Sequence, residues 1–261
     1  MGKVWSFLFL LVPVLGVALF AWAPSSGFWL PRDISKHGWQ IDHLFNFILV
    51  LTGVVFAATE ALLFWFLWRY DAKTNRTPVK YTHGSHNLEV IWTILPAATL
   101  LFIAIYQMNA WADVKMRRPK DMPPTVEVTA RQFEWRLRYP GPDGKLGTPD
   151  DIHHVNDLHI PVDEEVLVQL ESMDVLHDFF LPNLRIKQDA VPGMAIPVWF
   201  RATDTGTYDL VCAELCGWGH YKMKGRLTIE SRASFDQWLA KMGAEEQATQ
   251  EPAAAESEDS E

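Results

Sequence analysis

Two thiols, a carboxylate, an imidazole and a thioether fall within twelve residues near the C-terminal end of the chain: Cys212-Ala-Glu214-Leu-Cys216-Gly-Trp-Gly-His220-Tyr-Lys-Met223. The two cysteines of the sequence are both here. Thiolate and thioether sulfur beside imidazole nitrogen select copper or zinc over the hard cations, which take oxygen. Gly217 and Gly219 let the backbone curl around an ion. Outside the cytosol a cysteine pair is ordinarily a disulfide, and structural zinc has little use for a thioether. With His220 and Met223 at these offsets, copper moves ahead of both. A further imidazole must come from elsewhere. Asp174-Val-Leu-His177-Asp-Phe-Phe, between a strand-like run at 166–170 and Pro182, offers His177. A histidine between apolar residues is more often a core residue; the incomplete cluster reverses that reading here.

Cys212-x-Glu214-x-Cys216-Gly-x-x-His220-x-x-Met223, with Asp174-Val-Leu-His177 upstream, resembles the dinuclear copper A site of cytochrome c oxidase subunit 2, over roughly Ile41 to Trp238. The resemblance implies that Cys212 and Cys216 bridge two coppers. His177 and His220 each give a nitrogen, and Met223 sulfur and the Glu214 carbonyl are weak axial ligands. It also implies that the Glu214 carboxylate faces a magnesium shared with the catalytic subunit. The implied function is electron entry into a respiratory terminal oxidase. Single electrons would pass from cytochrome c through copper A to haem in the catalytic subunit, driving oxygen reduction and proton pumping. Subunits 1 and 3 are the implied partners.

One departure stands out. The family's Gly-x-Gln-Trp-Tyr-Trp stretch, whose first Trp receives the electron, reads here Ala130-Arg-Gln-Phe133-Glu134-Trp135. Phe133 and Trp135 are therefore the candidate entry residues, and the donor is cytochrome c or a related or fused cytochrome. Docking is expected at Asp151, Asp157, Asp174 and Asp178. Gly217, Trp218 and the Leu181-Pro182 region are expected to shield the metals. Among rivals, a quinol oxidase subunit would lack the copper ligands, and nitrous oxide reductase needs a further copper domain. A membrane-tethered module stapled by Cys212–Cys216 would need no metal.

The elements that must position this site come in two halves. Hydrophobic residues make up 49% of the 261, with twelve tryptophans, and they are unevenly placed. Net charge is −9, but seven Asp/Glu and no Lys/Arg follow Gly243, so the body is nearly balanced. There is no basic face or motif for nucleic acid. Residues 4–23 follow Lys3 and end Ala21-Trp22-Ala23, a pattern that fits a signal-peptidase site or a spanning helix. Residues 41–68 span, and Arg69, Lys73, Arg76 and Lys80 mark the cytoplasmic end. Residues 88–108 return, with Pro96 as a kink site. Trp39, Trp65, Trp68, Trp92 and Trp111 suit interfacial belts. Glu60 is an intramembrane carboxylate whose simpler reading is a hydrogen bond to a neighbouring subunit. Glu89 opens the return span, and the resemblance assigns it to a proton-pathway entrance.

From residue 125 the pattern changes to short β-rich runs at 125–130, 133–139, 157–160, 165–170, 196–202, 206–211 and 224–229, which predicts an antiparallel sandwich. The turn-rich stretch 140–151 carries Asp143, Asp150 and Asp151, which suits calcium less well than a solvated turn. His153, His154 and His159 read as strand-edge histidines facing water. Ser234 and Gln237 open a short helix to Met242, and the tail beyond it reads as disordered. The expected architecture is a transmembrane α-helical hairpin (41–110), with an N-terminal signal or extra helix (1–23), followed by an all-β cupredoxin-like sandwich (120–231) and a short helix with an acidic tail (232–261). The expected location is an energy-transducing inner membrane, with the copper domain on the outer, periplasmic side.

Overall fold

A computed structural model describes residues 2–71, 77–78 and 81–258. It divides into two units, Met1–Leu30 with Asp42–Asn109, and Pro31–Ile41 with Ala110–Glu261. Lys73, Arg76 and Lys80, three of the four residues of the expected basic cluster, lie outside the described residues.

Three helices dominate the first unit: α1 (Gly2–Trp22), α2 (Gly38–Arg69) and α3 (His86–Tyr106). Each is long and apolar enough to cross a bilayer, since about 20 residues at 1.5 Å each span the hydrocarbon core. Val, Leu and Phe are exposed on all three, as suits helices whose solvent is lipid. The hydroxyls of Thr52, Thr59, Thr93 and Thr99 donate to carbonyls three or four residues back, so these four O–H groups are satisfied in an apolar medium. Rings join the helices. Phe47 meets Phe102 and Tyr106 between α2 and α3, and Phe7 of α1 meets Phe64 and Trp68 of α2. Lys3 Nζ sits 4.6 Å over the Trp68 ring. Glu89 lies exposed in the first turn of α3, where a carboxylate favours the helix dipole.

The second unit is a two-sheet β-sandwich. Its strands are β1 (Val126–Arg131), β2 (Glu134–Tyr139), β3 (Ile152–Val155), β4 (Asp157–Pro161), β5 (Glu165–Ser172), β6 (His177–Leu181), β7 (Ile186–Ala190), β8 (Ile196–Arg201), β9 (Gly206–Cys212) and β10 (Lys224–Glu230). The sheet orders are β3-β2-β1-β5-β8 and β4-β10-β9-β6-β7. β2 shows the alternation that builds the core: Trp135, Leu137 and Tyr139 point in and are fully buried, or nearly so.

The sheets correct the sequence reading in two ways. They are mixed, not antiparallel, because β1 pairs parallel with β5 and β10 parallel with β4. Strand periodicity reports which face is buried and carries no information on direction. Three strands also escaped that reading. β3 and β7 carry apolar residues only at their ends, and β6 is buried along most of its length, so it lacks alternation.

The sandwich recruits three segments from outside 120–231. Ile34 is fully buried in its core, with its N–H donating to Asn183 O (3.0 Å) and its carbonyl accepting from Thr203 N–H (2.8 Å). Helix α4 (Met108–Lys115) follows, and the Asp113 carbonyl accepts from Trp199 Nε1. At the other terminus, α5 runs from Arg232 to Glu258, well past the expected end at Met242 and through the stretch expected to be disordered. Ala, Glu and Gln are strong helix formers, and one glycine inside them lowers helix propensity without ending the helix. Gly243 lies close beside Ile152 of β3, where the absence of a side chain is useful.

Candidate metal centre

The loop joining β9 to β10 carries five of the six expected donors, and register supplies the sixth. Cys212 closes β9, and its N–H donates to Met223 O (3.2 Å), so the neck of the loop is pinned shut. β6 pairs with β9 through Phe179 opposite Cys212, which brings His177, two residues before Phe179, to the same end. Inside this pocket Cys212 Sγ lies 3.8 Å from Cys216 Sγ, 4.0 Å from His177 Nδ1 and 3.2 Å from the Glu214 carbonyl oxygen. Cys216 Sγ lies 3.7 Å from His220 Nδ1 and 3.8 Å from Met223 Sδ. His177 is fully buried, and Cys212, Cys216 and Met223 nearly so. Both cysteines are free, at nearly twice the S–S bond length of about 2.05 Å.

Two residues absent from the sequence reading's ligand scheme orient these donors. Asp174 Oδ1 lies 2.8 Å from His177 Nε2, which leaves Nδ1 facing Cys212. A carboxylate behind a ligating imidazole fixes its tautomer and ring orientation. Asp174 also accepts from the Gln132 and Val175 N–H groups, each at 2.7 Å. Partial burial alone would raise its carboxyl, but those N–H groups and the His177 ring outweigh that and lower it. The Gln132 side chain donates to Cys216 O (2.5 Å) and ties the loop to β1. That signal was legible in part, since Asp174 stands three residues from His177; Gln132 is 84 residues from Cys216 and gave none.

Phe133 supports the loop from beneath. A Cβ at Gly219 would stand 2.4 Å from its ring, and Gly217 combines a φ of +139° with the same neighbour. These two glycines are therefore required for the loop to lie on Phe133.

The thiols ionise unequally. Burial works to raise the Cys212 thiol, but hydrogen bonding to His177 and to the backbone of Asp178 and Glu214 brings it down to about 6. Burial and the charge of Cys212 push Cys216 up to about 11. In the absence of a cation the pair thus holds one negative charge comfortably. Two close thiolates need a neighbouring positive charge, and the donor set, sulfur and imidazole throughout apart from one carbonyl, suits a soft metal. Residues and pocket fit a soft metal held by sulfur and imidazole.

Other expected site residues are placed differently. Trp135 is fully buried, edge-on to His177 and Phe179, so it offers no surface to a donor. Phe133 is half-buried under the loop. Trp218, expected as a shield, is instead 82% exposed. Of the four aspartates expected to dock a donor, Asp151, Asp157 and Asp178 are buried. Asp151 accepts from Gly147 N–H, and Asp157 pairs with Arg226 at 2.6 Å. Burial pushes the Asp178 carboxyl up to about 6. Asp174, the fourth, is committed to His177. In the 140–151 turn, Asp143, Asp150 and Asp151 accept from the turn's own N–H groups. His153 faces water as expected, but His159 does not: it is stacked 3.9 Å from Trp238 and bonded to Glu230.

Comparison with known proteins agrees along the chain. Residues 130–231 match the family described as cytochrome c oxidase subunit II, periplasmic domain, and residues 24–110 match its transmembrane domain. The alternative cytochrome c oxidase subunit 2 of Bradyrhizobium diazoefficiens is 32% identical over 259 residues, covering 89% of this chain and 90% of that one. The cytochrome c oxidase subunit 2 of Cereibacter sphaeroides is 30% identical, covering 77% and 75%. A crystal structure of the periplasmic domain of cytochrome oxidase subunit II from Bradyrhizobium japonicum is 28% identical and covers 50% of this chain and 99% of that one, with a TM-score of 0.44.

Proposed function

We propose a role for this chain from one premise: it belongs to the cytochrome c oxidase subunit II family, and so is a membrane-bound subunit of a haem-copper terminal oxidase with a transmembrane and a periplasmic domain. In that role it is the subunit through which electrons enter, holding a copper A pair on His177, Cys212, Glu214 O, Cys216, His220 and Met223. The observation that carries this reading is the unbroken chain of donor contacts, 3.2 to 4.0 Å apart, inside one buried pocket.

Copper bound there would supply one-electron exchange with little change in bonding. The protein's part is to hold the donors still. Cys212 and Cys216 sit at the neck and middle of a loop pinned by backbone bonding and by Gln132. Asp174 keeps His177 with its Nδ1 turned inward. Phe133 and Trp135 back the site with apolar rings and keep water away from the sulfurs. The sandwich beneath would change little between oxidation states, because every donor hangs from a packed strand end or a pinned loop.

Cytochrome c or a related cytochrome is the proposed donor, and haem in the catalytic subunit 1 the acceptor, with subunit 3 alongside. The Glu214 carboxylate is assigned to a magnesium shared with subunit 1, and Glu89 to the mouth of a proton pathway. The test is metal analysis of the purified membrane complex. Two coppers per chain and a mixed-valence electron paramagnetic resonance signal are expected. A copper-free chain carrying a Cys212–Cys216 disulfide would overturn the assignment in favour of a tethered binding module.

A further inference from the structure

We propose that Trp218 is the residue the electron donor touches and through which the electron enters, in place of Phe133. This rests on the reading of the loop as a redox-metal site, and it deepens that reading by assigning the contact.

Trp218 stands midway between two proposed ligands, two residues after Cys216 and two before His220. Its neighbours in sequence are the two glycines that lie against Phe133. The loop thus has an inner and an outer aromatic ring. Phe133 is the inner one, half-buried between β1 and the loop. Trp218 is the outer one, 82% exposed and edge-on to Phe133 at 5.3 Å between centroids. Exposing an indole to water forgoes the burial free energy of the largest side chain, which is the pattern of a partner contact. Leu215 (77% exposed) and Tyr221 (70%) belong to the same loop, so the surface around Trp218 is apolar.

Charge then decides the kind of partner. A basic donor would need a ring of free carboxylates here, yet Asp151, Asp157 and Asp178 are buried, Glu214 is half-buried, and Asp174, though exposed, is engaged by three hydrogen bonds. Lys222 and Lys224 are exposed beside the loop. The occupant is therefore a c-type cytochrome that docks chiefly through an apolar face around its haem edge, and only weakly through paired charges. In the transfer, one electron leaves the ferrous haem, which becomes ferric, and reduces the metal centre by one. The Trp218 ring is neither oxidised nor deprotonated, and no proton moves.

The test compares wild type, Trp218→Ala, Trp218→Phe and Phe133→Leu in the purified membrane complex, with reduced cytochrome c as donor. Trp218→Ala should lower the second-order rate of electron entry by about tenfold or more, the scale of losing a tryptophan hot spot, while copper content and visible spectrum stay at wild type. Trp218→Phe should recover most of that loss. Phe133→Leu should slow entry less than Trp218→Ala does. A second readout needs no metal: affinity of oxidised cytochrome c for the full chain in detergent without copper should fall in Trp218→Ala and depend weakly on salt. Unchanged rate and affinity in Trp218→Ala would overturn the proposal, as would a larger loss in Phe133→Leu. A wild-type complex without copper would instead sink the reading of the site, and the metal-free binding measurement would still decide whether Trp218 is the contact.

Discussion

Two groups of histidines in the sandwich look alike in sequence and behave differently in space. His177 is held by one carboxylate, Asp174, through Nε2, and its Nδ1 faces a thiol sulfur. His159 has carboxylates at both nitrogens, Glu230 at Nδ1 (2.7 Å) and Asp157 at Nε2 (3.5 Å), and its ring is covered by Trp238. The first imidazole turns one nitrogen toward a second donor. The second has a carboxylate at each nitrogen, and so serves packing by fastening α5 to β4. A carboxylate beside a histidine therefore leaves the ring available as a ligand when the opposite nitrogen faces a second donor.

The sharpest way to break this contrast is to exchange fates. Cys212→Ser should abolish metal binding outright, whereas His159→Ala should leave the copper count at wild type; metal analysis of both complexes checks this, and copper lost from His159→Ala would end the distinction. Next in size, Trp238→Ala should destabilise the sandwich by about 2–3 kcal/mol with the metal retained, somewhat below the range for a fully buried tryptophan because this ring is only partly covered. Denaturant unfolding of the membrane-free outer unit, or of the whole chain in detergent, gives that figure. Asp174→Asn should leave stability nearly unchanged and weaken copper affinity by about 10–100-fold, the usual scale for a group that orients a ligating histidine. Competition against a copper chelator measures it, and unaltered affinity would mean that Asp174 orients nothing. The smallest effect should come from Glu246→Ala, which loses the exposed pairing of α5 with His153: under about 1 kcal/mol, visible as faster amide exchange in α5.

The loop and the terminal helix show where sequence reasoning succeeded and where it stopped. The clustering of side chains from Cys212 to Met223 was readable because a tight loop brings near neighbours in sequence together whatever fold carries it. The three apolar helices were readable because bilayer thickness dictates their length. β6 was missed because a strand buried on both faces has no alternation, although it carries His177. The extent of α5 was missed because an acidic, aromatic-free composition reads equally as disorder or as exposed helix. The four docking aspartates show a different failure. Their charge suggested a surface, and packing put three of them inside with partners.

What the sequence determined by itself is the chemistry on offer: two sulfurs, a thioether and an imidazole at spacings one short loop can gather, behind a hydrophobic region long enough to span. What only the tertiary structure decided is which distant groups complete that chemistry and which face water. Pairing of β6 with β9 delivers His177, and the turn between β1 and β2 delivers Gln132 and the ring of Phe133. The outward turn of Trp218 follows from Phe133 already occupying the inner side. Such choices depend on strand register and on competition for buried volume, both set by contacts between residues far apart in the chain, which local spacing does not encode.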